Sequence, residues 1–395
     1  MSYLHKQFVQ DIDVAGKKII MRVDFNVPME QGVITDDTRI TASLPTIKYL
    51  LERNAALILM SHLGRPKGAF KQELSLKPVA EHLAEVLGQP VAFIPDCVGP
   101  QAEQAARALQ PGQVMLLENL RFHKEEEAND PEFAASLAAM AEIYVSDAFG
   151  VAHRPHASTV GIIAYLPAVA GLLLENEMET LSRLLIEPER PYLAVIGGAK
   201  ISDKIEVIES LVHRVDKLLI GGGMSNIFLA AAGHDMHGSL MEPDKVAWAE
   251  RFLHTAEARE KIVLPVDLVA SAAFAPDAEH QVVSVDNIPQ GWSALDIGPQ
   301  TVALFKEELR HAKSVFWNGP LGVFELAPFA TGTMEIARTI AELDAFTVIG
   351  GGDSIAAVHQ AGVADQISHI STGGGASLEF LEGKILPGVN MLNDK

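Results

Sequence analysis

Short runs of apolar, largely β-branched residues recur along the whole chain, each followed by a stretch with helical spacing. Strands and helices that alternate rather than segregate imply βα units built around parallel sheets. In the first half the expected strands are Lys18 to Val27, Ala56 to Ser61, Val91 to Ile94, Val114 to Glu118 and Ile143 to Ser146. Helical stretches such as Leu76 to Leu87 and Phe133 to Ala141 return the chain between them. The second half repeats the pattern with strands at Tyr192 to Ile196, Lys217 to Ile220, Lys261 to Pro265, Ser314 to Trp317 and Phe346 to Ile349. A chain of 395 residues exceeds the length at which one core stops growing. The expected fold is therefore α/β, with two doubly wound, Rossmann-like parallel-sheet lobes. The boundary is expected between Leu174 and Pro191, where ENEMETLSRLLIEPERP reads as an amphipathic hinge helix ended by two prolines. This gives domains of 1–174 and 175–379.

The formal charge of −20 opposes a nucleic-acid partner, which needs a basic face. The single cysteine, Cys97, and a start that lacks an apolar signal core fit a reducing cytoplasm. Ala157 to Leu174 carries no charge, but Gly161, Pro167 and Gly171 interrupt it. With Ser158 and Thr159 placed as a cap, it reads as a buried helix or interdomain segment and not as a membrane span.

Ligands of open α/β sheets sit outside the carboxyl ends of the strands. In the first half those ends carry Asp24 and Asn26, the run from Ser61 to Pro66, the run from Asn119 to His123, and His153-Arg154-Pro155-His156. Arg22, Arg39, Arg65, Arg121 and Arg154 thus lie in or beside strand ends of an acidic protein. Singly each reads as an ion-pair partner; together they read as a pocket for a multiply anionic small molecule, which the planar guanidinium fork suits. Arg22, inside its strand, is the weakest member.

The second half ends its strands in glycine: Gly197-Gly198, Gly221 to Gly223, Gly350 to Gly352 and Gly373 to Gly375. Glycine lets backbone approach a phosphate, and a following helix offers unpaired N–H groups. Four such clusters favour a nucleotide site over tight turns alone. Lys200 and Lys204, four apart, are expected on one face of the helix that begins there, both able to reach phosphates. Asp353 suits Mg²⁺, with a helix N-cap as the rival reading. Neither G-x-x-x-x-G-K-[ST] nor a strand-linked G-x-G-x-x-G occurs, which disfavours Walker-type ATPases and Rossmann dehydrogenases. The pairs His153/His156 and His234/His237 lack the company that zinc sites keep, and Cys97 shows no activating partner.

Several runs resemble the phosphoglycerate kinases. They are Arg22 to Pro28, Ser61 to Pro66, Glu118 to His123, Gly197 to Lys204, Trp317 to Glu325, Gly350 to Ser354 and Ser371 to Ser377. They span nearly the whole chain in the family's order. The resemblance implies 3-phosphoglycerate or 1,3-bisphosphoglycerate held by Asp24, Phe25, Asn26, Arg39, His62, Leu63, Gly64, Arg65, Arg121 and Arg154. It implies ADP or ATP at Lys204, Glu325, Gly351, Gly352, Asp353 and Ser354, with Mg²⁺ at Asp353. Arg39 and Lys200, with the backbone of Gly352 and Gly375, would stabilise the transferring phosphoryl group. Residues 380–395 would pack back on the first lobe, both substrates would drive closure, and the molecule would be a cytoplasmic monomer. The chain departs from the family at Pro155, where alanine is commoner, and at Ser225-Asn226-Ile227, where an aromatic is often seen. A dinucleotide-dependent dehydrogenase and a two-lobed solute-binding protein are the rival readings.

Overall fold

The computed structural model describes residues 5–202 and 204–395. Two compact units divide it: Met1–Ser182 with Lys384–Lys395, and Arg183–Gly383. The helix Leu172–Ile186 carries the chain from one to the other.

In the first unit six strands are β1 (Lys18–Arg22), β2 (Ala56–Met60), β3 (Val91–Ile94), β4 (Val114–Leu117), β5 (Ile143–Ser146) and β6 (Ala168–Ala170). They pair in the order β3-β4-β2-β1-β5-β6, every pair parallel. The central β2, ALILM, is buried at all five positions, as a strand covered by helices on both faces must be. Local chemistry sets the helix starts. Pro131 opens the helix Pro131–Ala138, and the Asp130 carboxylate accepts from the backbone N–H of Glu132 (3.0 Å) and Phe133 (2.9 Å). The last residues close on this unit: Lys6 Nζ donates to the carbonyls of Asn390 (2.7 Å) and Leu392 (2.9 Å), and Asn393 N–H donates to Ala168 O (2.9 Å).

The second unit holds β7 (Tyr192–Ile196), β8 (Lys217–Ile220), β9 (Ile262–Val263), β10 (Asp267–Ser271), β11 (His280–Ser284), β12 (Ser293–Ile297), β13 (Ser314–Asn318), β14 (Phe346–Gly350) and β15 (His369–Ile370). Six of them form a parallel sheet in the order β9-β8-β7-β13-β14-β15. The remaining three form an antiparallel sheet in the order β11-β10-β12. In each large sheet the chain order reverses next to the first strand, between β1 and β5 and between β7 and β13. Those two crevices are where a doubly wound sheet binds ligands.

Three details differ from the sequence reading. The strand expected to reach Val27 stops at Arg22, because side chains take over the backbone donors beyond it: Phe25 N–H donates to Ser61 Oγ (2.9 Å) and Asn26 N–H to Asp24 Oδ1 (3.3 Å). Ala157 to Leu174 is not one helix; a single 3₁₀ turn, Gly161–Ala164, leads to edge strand β6, and only Leu172 to Leu174 are helical, as the start of the connecting helix. Ser158 caps nothing there, its hydroxyl donating instead to Glu126 Oε1 (2.5 Å). The antiparallel sheet β10–β12 is additional; its outer strands β11 and β12 are exposed or half-buried enough to blur the buried-run signal, although β10 between them is buried throughout. No helix of the described residues is long and apolar enough to cross a membrane.

Candidate active site

The β1/β5 crevice of the first unit is built from the loop that follows β1. The Asp24 carboxylate, almost wholly buried, receives Arg39 Nη1 at 2.7 Å. Asn26 Oδ1 accepts from Gly64 N–H (2.8 Å), which pins the loop after β2 beside it. Asn119 then ties in the loop after β4: its Nδ2 donates to Leu63 O (2.7 Å), and its Oδ1 accepts from Leu63 N–H (3.2 Å) and Arg121 N–H (3.1 Å). Arg121 Nη1 donates to Gly64 O (2.9 Å). Three strand ends are thereby locked into one surface.

His62 occupies its centre, 3 % exposed. The fully buried Arg22 donates from Nε to Ser158 Oγ (2.9 Å) and places Nη2 3.1 Å from His62 Nδ1. A guanidinium can only donate, so Nδ1 accepts and the ring proton sits on Nε2. Burial, and then the charges of Arg22, Arg121, Arg39 and Arg154, push the His62 pKa well below its ordinary value. The ring is a neutral, oriented donor. Burial and Arg154 likewise hold His153 at about 4, and burial with Arg121, Arg22 and Arg154 holds His156 at about 4. Three histidines are thus kept neutral beside guanidiniums that carry the charge.

Arg121 is the clearest pointer to an anionic ligand. Its Nε and Nη2 are buried with no hydrogen-bond partner, and Glu127 Oε1 lies 3.3 Å from Nε without the alignment of a bond. Burial, opposed by Glu127, lowers its pKa to about 10, which leaves it charged at neutral pH. Buried unpaired donors of a cation cost free energy unless a ligand satisfies them. The structure therefore brings together Asp24, Asn26, Arg39, His62, Leu63, Gly64, Arg121 and Arg154, with the Phe25 N–H anchored on Ser61. Arg65 stands exposed and makes no hydrogen bond to this group.

In the second unit a cavity of about 690 Å³ opens at the β7/β13 crevice. Gly198, Ala199, Gly222, Gly223, Pro320 and Gly322 line one side, and Leu240, Leu268, Phe274, Ala294 and Leu295 line another. Such a volume and apolar wall suit a planar heteroaromatic ring. Glu325 and Asp353 are its carboxylates at accessible positions, and both are exposed. The glycines are structural requirements: a Cβ at Gly197 would lie 2.1 Å from Pro320 O, and Gly222, at φ +66°, faces the same carbonyl at 2.8 Å.

Lys204 Nζ donates to Gly197 O (2.7 Å) and Asn318 O (3.2 Å), joining the ends of β7 and β13. The helix after this loop begins at Ile205, so Lys200 and Lys204 do not share a helical face as their spacing predicted. Lys200 is exposed in the preceding loop. Glu242 fixes that loop, its Oε2 accepting from Ile201 N–H (2.7 Å) and Ser202 N–H (3.1 Å). Asp203 lies outside the described residues. Gly351, at φ +94°, is the N-cap of Gly352–Ala361, so Asp353 sits inside the first turn and is not the cap. Ser354 is buried and accepts from Gly319 N–H (2.6 Å). Gly375 is the first residue of Gly375–Leu381. Ser225 and Asn226, the departure noted above, both line the cavity; Ser225 Oγ donates to Gly222 O (2.7 Å) and Asn226 Nδ2 to Leu240 O (3.0 Å).

Sequence reasoning missed Phe274, Leu268 and Leu295, which come from or beside the antiparallel sheet, and Glu242. Nothing in local spacing marks a carboxylate that serves a loop some forty residues away.

A family model described as "Phosphoglycerate kinase" matches residues 9–384. The chain belongs to the phosphoglycerate kinase family. It is 57% identical over 391 residues to the phosphoglycerate kinase of Moorella thermoacetica, covering 99% of this chain and 100% of that one. It is 56% identical over 391 residues to the phosphoglycerate kinase of Pelotomaculum thermopropionicum, with the same coverage. Among solved structures, phosphoglycerate kinase from Coxiella burnetii superposes with a TM-score of 0.87 at 41% identity, and that from Pyrococcus horikoshii OT3 with 0.89 at 35%. Each comparison covers 98% of both chains. The chain is thus a glycolytic phosphotransferase with a carboxyl acceptor, moving a phosphoryl group between 1,3-bisphosphoglycerate and ADP.

Proposed function

We propose that the two crevices divide this reaction, the first unit holding the phosphoglycerate and the second the nucleotide. The observation that carries the reading is the buried Arg121 guanidinium with donors unpaired, set among Arg39, Arg154 and a neutral His62. Phosphate and carboxylate oxygens of 3-phosphoglycerate satisfy such donors bidentately. Asp24 holds Arg39 in place; Asn26, Leu63 and Gly64 shape the loop around it; and Phe25 and Arg65 complete the substrate's surroundings.

In the second unit the adenine ring takes the apolar wall, Glu325 the ribose hydroxyls, and the backbone of Gly351, Gly352 and Ser354 with Lys204 the phosphate end. Asp353 fits Mg²⁺, which takes one or two carboxylates and completes its shell with water and phosphate oxygens. When bound, the ion neutralises charge developing on the phosphates. Phosphoryl transfer depends on positioning and charge stabilisation, the roles we give to Arg39, Lys200 and the N–H groups of Gly352 and Gly375. Closure around both substrates would exclude the water that competes for the acyl phosphate. A cytoplasmic monomer is the working form we expect, and gel filtration tests the second part.

The test is Arg121→Ala in a coupled assay of ATP-dependent phosphorylation of 3-phosphoglycerate. The expected outcome is a KM for 3-phosphoglycerate raised at least about tenfold, the loss of one charge-assisted contact, with the KM for ATP unchanged. An unchanged KM for 3-phosphoglycerate would refute the assignment of this crevice.

A further inference from the structure

Outside the arginine cluster, three different ligand types converge at the carboxyl ends of the edge strand β3 and its neighbour β4. The two strands pair in register from Val91↔Val114 to Ile94↔Leu117. Asp96 and Cys97 follow β3, and the 3₁₀ turn Leu120–Phe122 after β4 delivers His123. The Asp96 carboxylate accepts from Cys97 N–H (2.7 Å), and His123 Nε2 lies 2.8 Å from Asp96 Oδ1. Cys97 Sγ, an Asp96 oxygen and a His123 ring nitrogen all fall within 4.8 Å of one another. The thiol is 1% exposed, while the Asp96 and His123 side chains are 47% and 30% exposed. The cluster is therefore a buried sulfur roofed by two groups that reach solvent. The Phe133 ring, 5.3 Å from that of His123, steadies the imidazole.

We infer that Asp96, Cys97 and His123 form a binding site for one thiophilic divalent cation, best matched by Zn²⁺, separate from the phosphoryl-transfer machinery. Thiolate sulfur, imidazole nitrogen and carboxylate oxygen are the ligand types zinc takes, at about 2.3, 2.0–2.1 and 2.0–2.2 Å. A tetrahedron with those bond lengths sets ligand atoms roughly 3.3–3.7 Å apart, so the sulfur and the other two atoms need close by only about 1 Å, while the 2.8 Å hydrogen bond between His123 and Asp96 opens by about half an ångström. Rotation of the half-exposed Asp96 and His123 supplies that. The fourth position opens to solvent and takes water. Mg²⁺ and Ca²⁺, which prefer oxygen, suit the set poorly. On binding, the Cys97 S–H bond breaks, the sulfur–metal bond forms and the proton leaves to solvent; nothing is oxidised or reduced. The sequence alone offered Cys97 no partner, because Asp96 and His123 meet only through the β3/β4 pairing.

Cobalt(II) is the probe, added to the full chain without nucleotide. Cys97 is the sole cysteine of the sequence, so a thiolate-to-cobalt charge-transfer band reports this residue and no other. Parent protein should develop the band to saturation at one equivalent, and Zn²⁺ should abolish it. His123→Gln and Asp96→Asn keep the thiol and alter half-exposed positions. Each should weaken cobalt binding by more than the roughly 10- to 100-fold that loss of an outer-shell partner costs, with unchanged circular dichroism. Absence of the band in the parent at excess cobalt overturns the site. So does a band of undiminished affinity in both variants, which would leave Cys97 an isolated thiol.

Discussion

Replacement of Arg39 by alanine separates the two tasks this side chain performs. In the structure Arg39 Nη1 lies 2.7 Å from Asp24 Oδ2, and the Asp24 side chain is only 6% exposed. Removing the guanidinium strands a buried carboxylate whose remaining donor is the Asn26 N–H, because the neutral His62 turns Nδ1, an acceptor, toward it. A lost charge-assisted bond of this kind costs about 1.5–3 kcal/mol, and the one-third exposure of Arg39 places the expectation near the lower end. Transition-state stabilisation is a separate loss: one preorganised charge contact contributes roughly 100- to 1,000-fold in rate. The double variant Asp24→Asn/Arg39→Ala distinguishes them, since asparagine removes the stranded charge without restoring the cation. Thermal melts should show the single variant destabilised and the double variant returned close to the parent. The coupled assay of 3-phosphoglycerate phosphorylation should show both variants at least about a hundredfold down in kcat. Recovery of turnover in the double variant would mean that Arg39 serves only to neutralise Asp24, and the catalytic assignment would fail.

Three further outcomes follow from other parts of the molecule. Gly197→Ala sets a Cβ 2.1 Å from Pro320 O, a backbone atom that cannot rotate away, so a melting temperature lower by at least about 4 °C is expected, and an unaltered melt would contradict the close approach of β7 and β13. Glu325→Ala should raise the KM for ATP at least about tenfold while kcat holds, read in initial-rate assays; a fall in kcat with unchanged KM would move Glu325 out of the nucleotide site. Burial raises the Asp147 carboxyl to about 7 as it accepts from Leu173 N–H (3.0 Å) and Leu174 N–H (3.3 Å) at the start of the connecting helix. A raised folded-state pKa means that the native protein holds the proton more tightly, so stability is greatest below the unfolded value near 4 and declines as pH rises toward 7. Asp147→Asn should flatten that decline, worth up to about 4 kcal/mol, in unfolding measured at pH 4, 5.5 and 8; parallel pH profiles would refute it.

Much of this was legible in the sequence, and the reasons differ by element. Buried parallel strands such as ALILM at Ala56–Met60 announce themselves as apolar runs, and their carboxyl ends lead straight to Asn26, His62 and Arg121. The need for glycine at the second unit's strand ends was legible, but its reason at Gly197 and Gly222 is close packing on protein carbonyls, which strand-end position alone does not reveal. What escaped was set by tertiary pairing. β6 and β15 are edge strands of three and two residues, too short for any period to emerge. The antiparallel strand His280–Ser284 is mostly exposed, so it lacks the apolar run that marks its neighbours. The spacing of Lys200 and Lys204 alone predicts one helical face, whereas Glu242 holds Ile201 and Ser202 in a loop and the helix begins only at Ile205. Arg22, ranked lowest of the arginines, proves to set the His62 tautomer from a fully buried position.

The most direct measurement is turnover by the purified chain itself: ATP-dependent phosphorylation of 3-phosphoglycerate, coupled to a spectrophotometric readout, with Mg²⁺ and after its chelation. The account predicts turnover of at least about 1–100 per second with Mg²⁺, falling to background on chelation and restored by adding the ion back. A folded chain that binds both 3-phosphoglycerate and ATP yet transfers no phosphoryl group would contradict it.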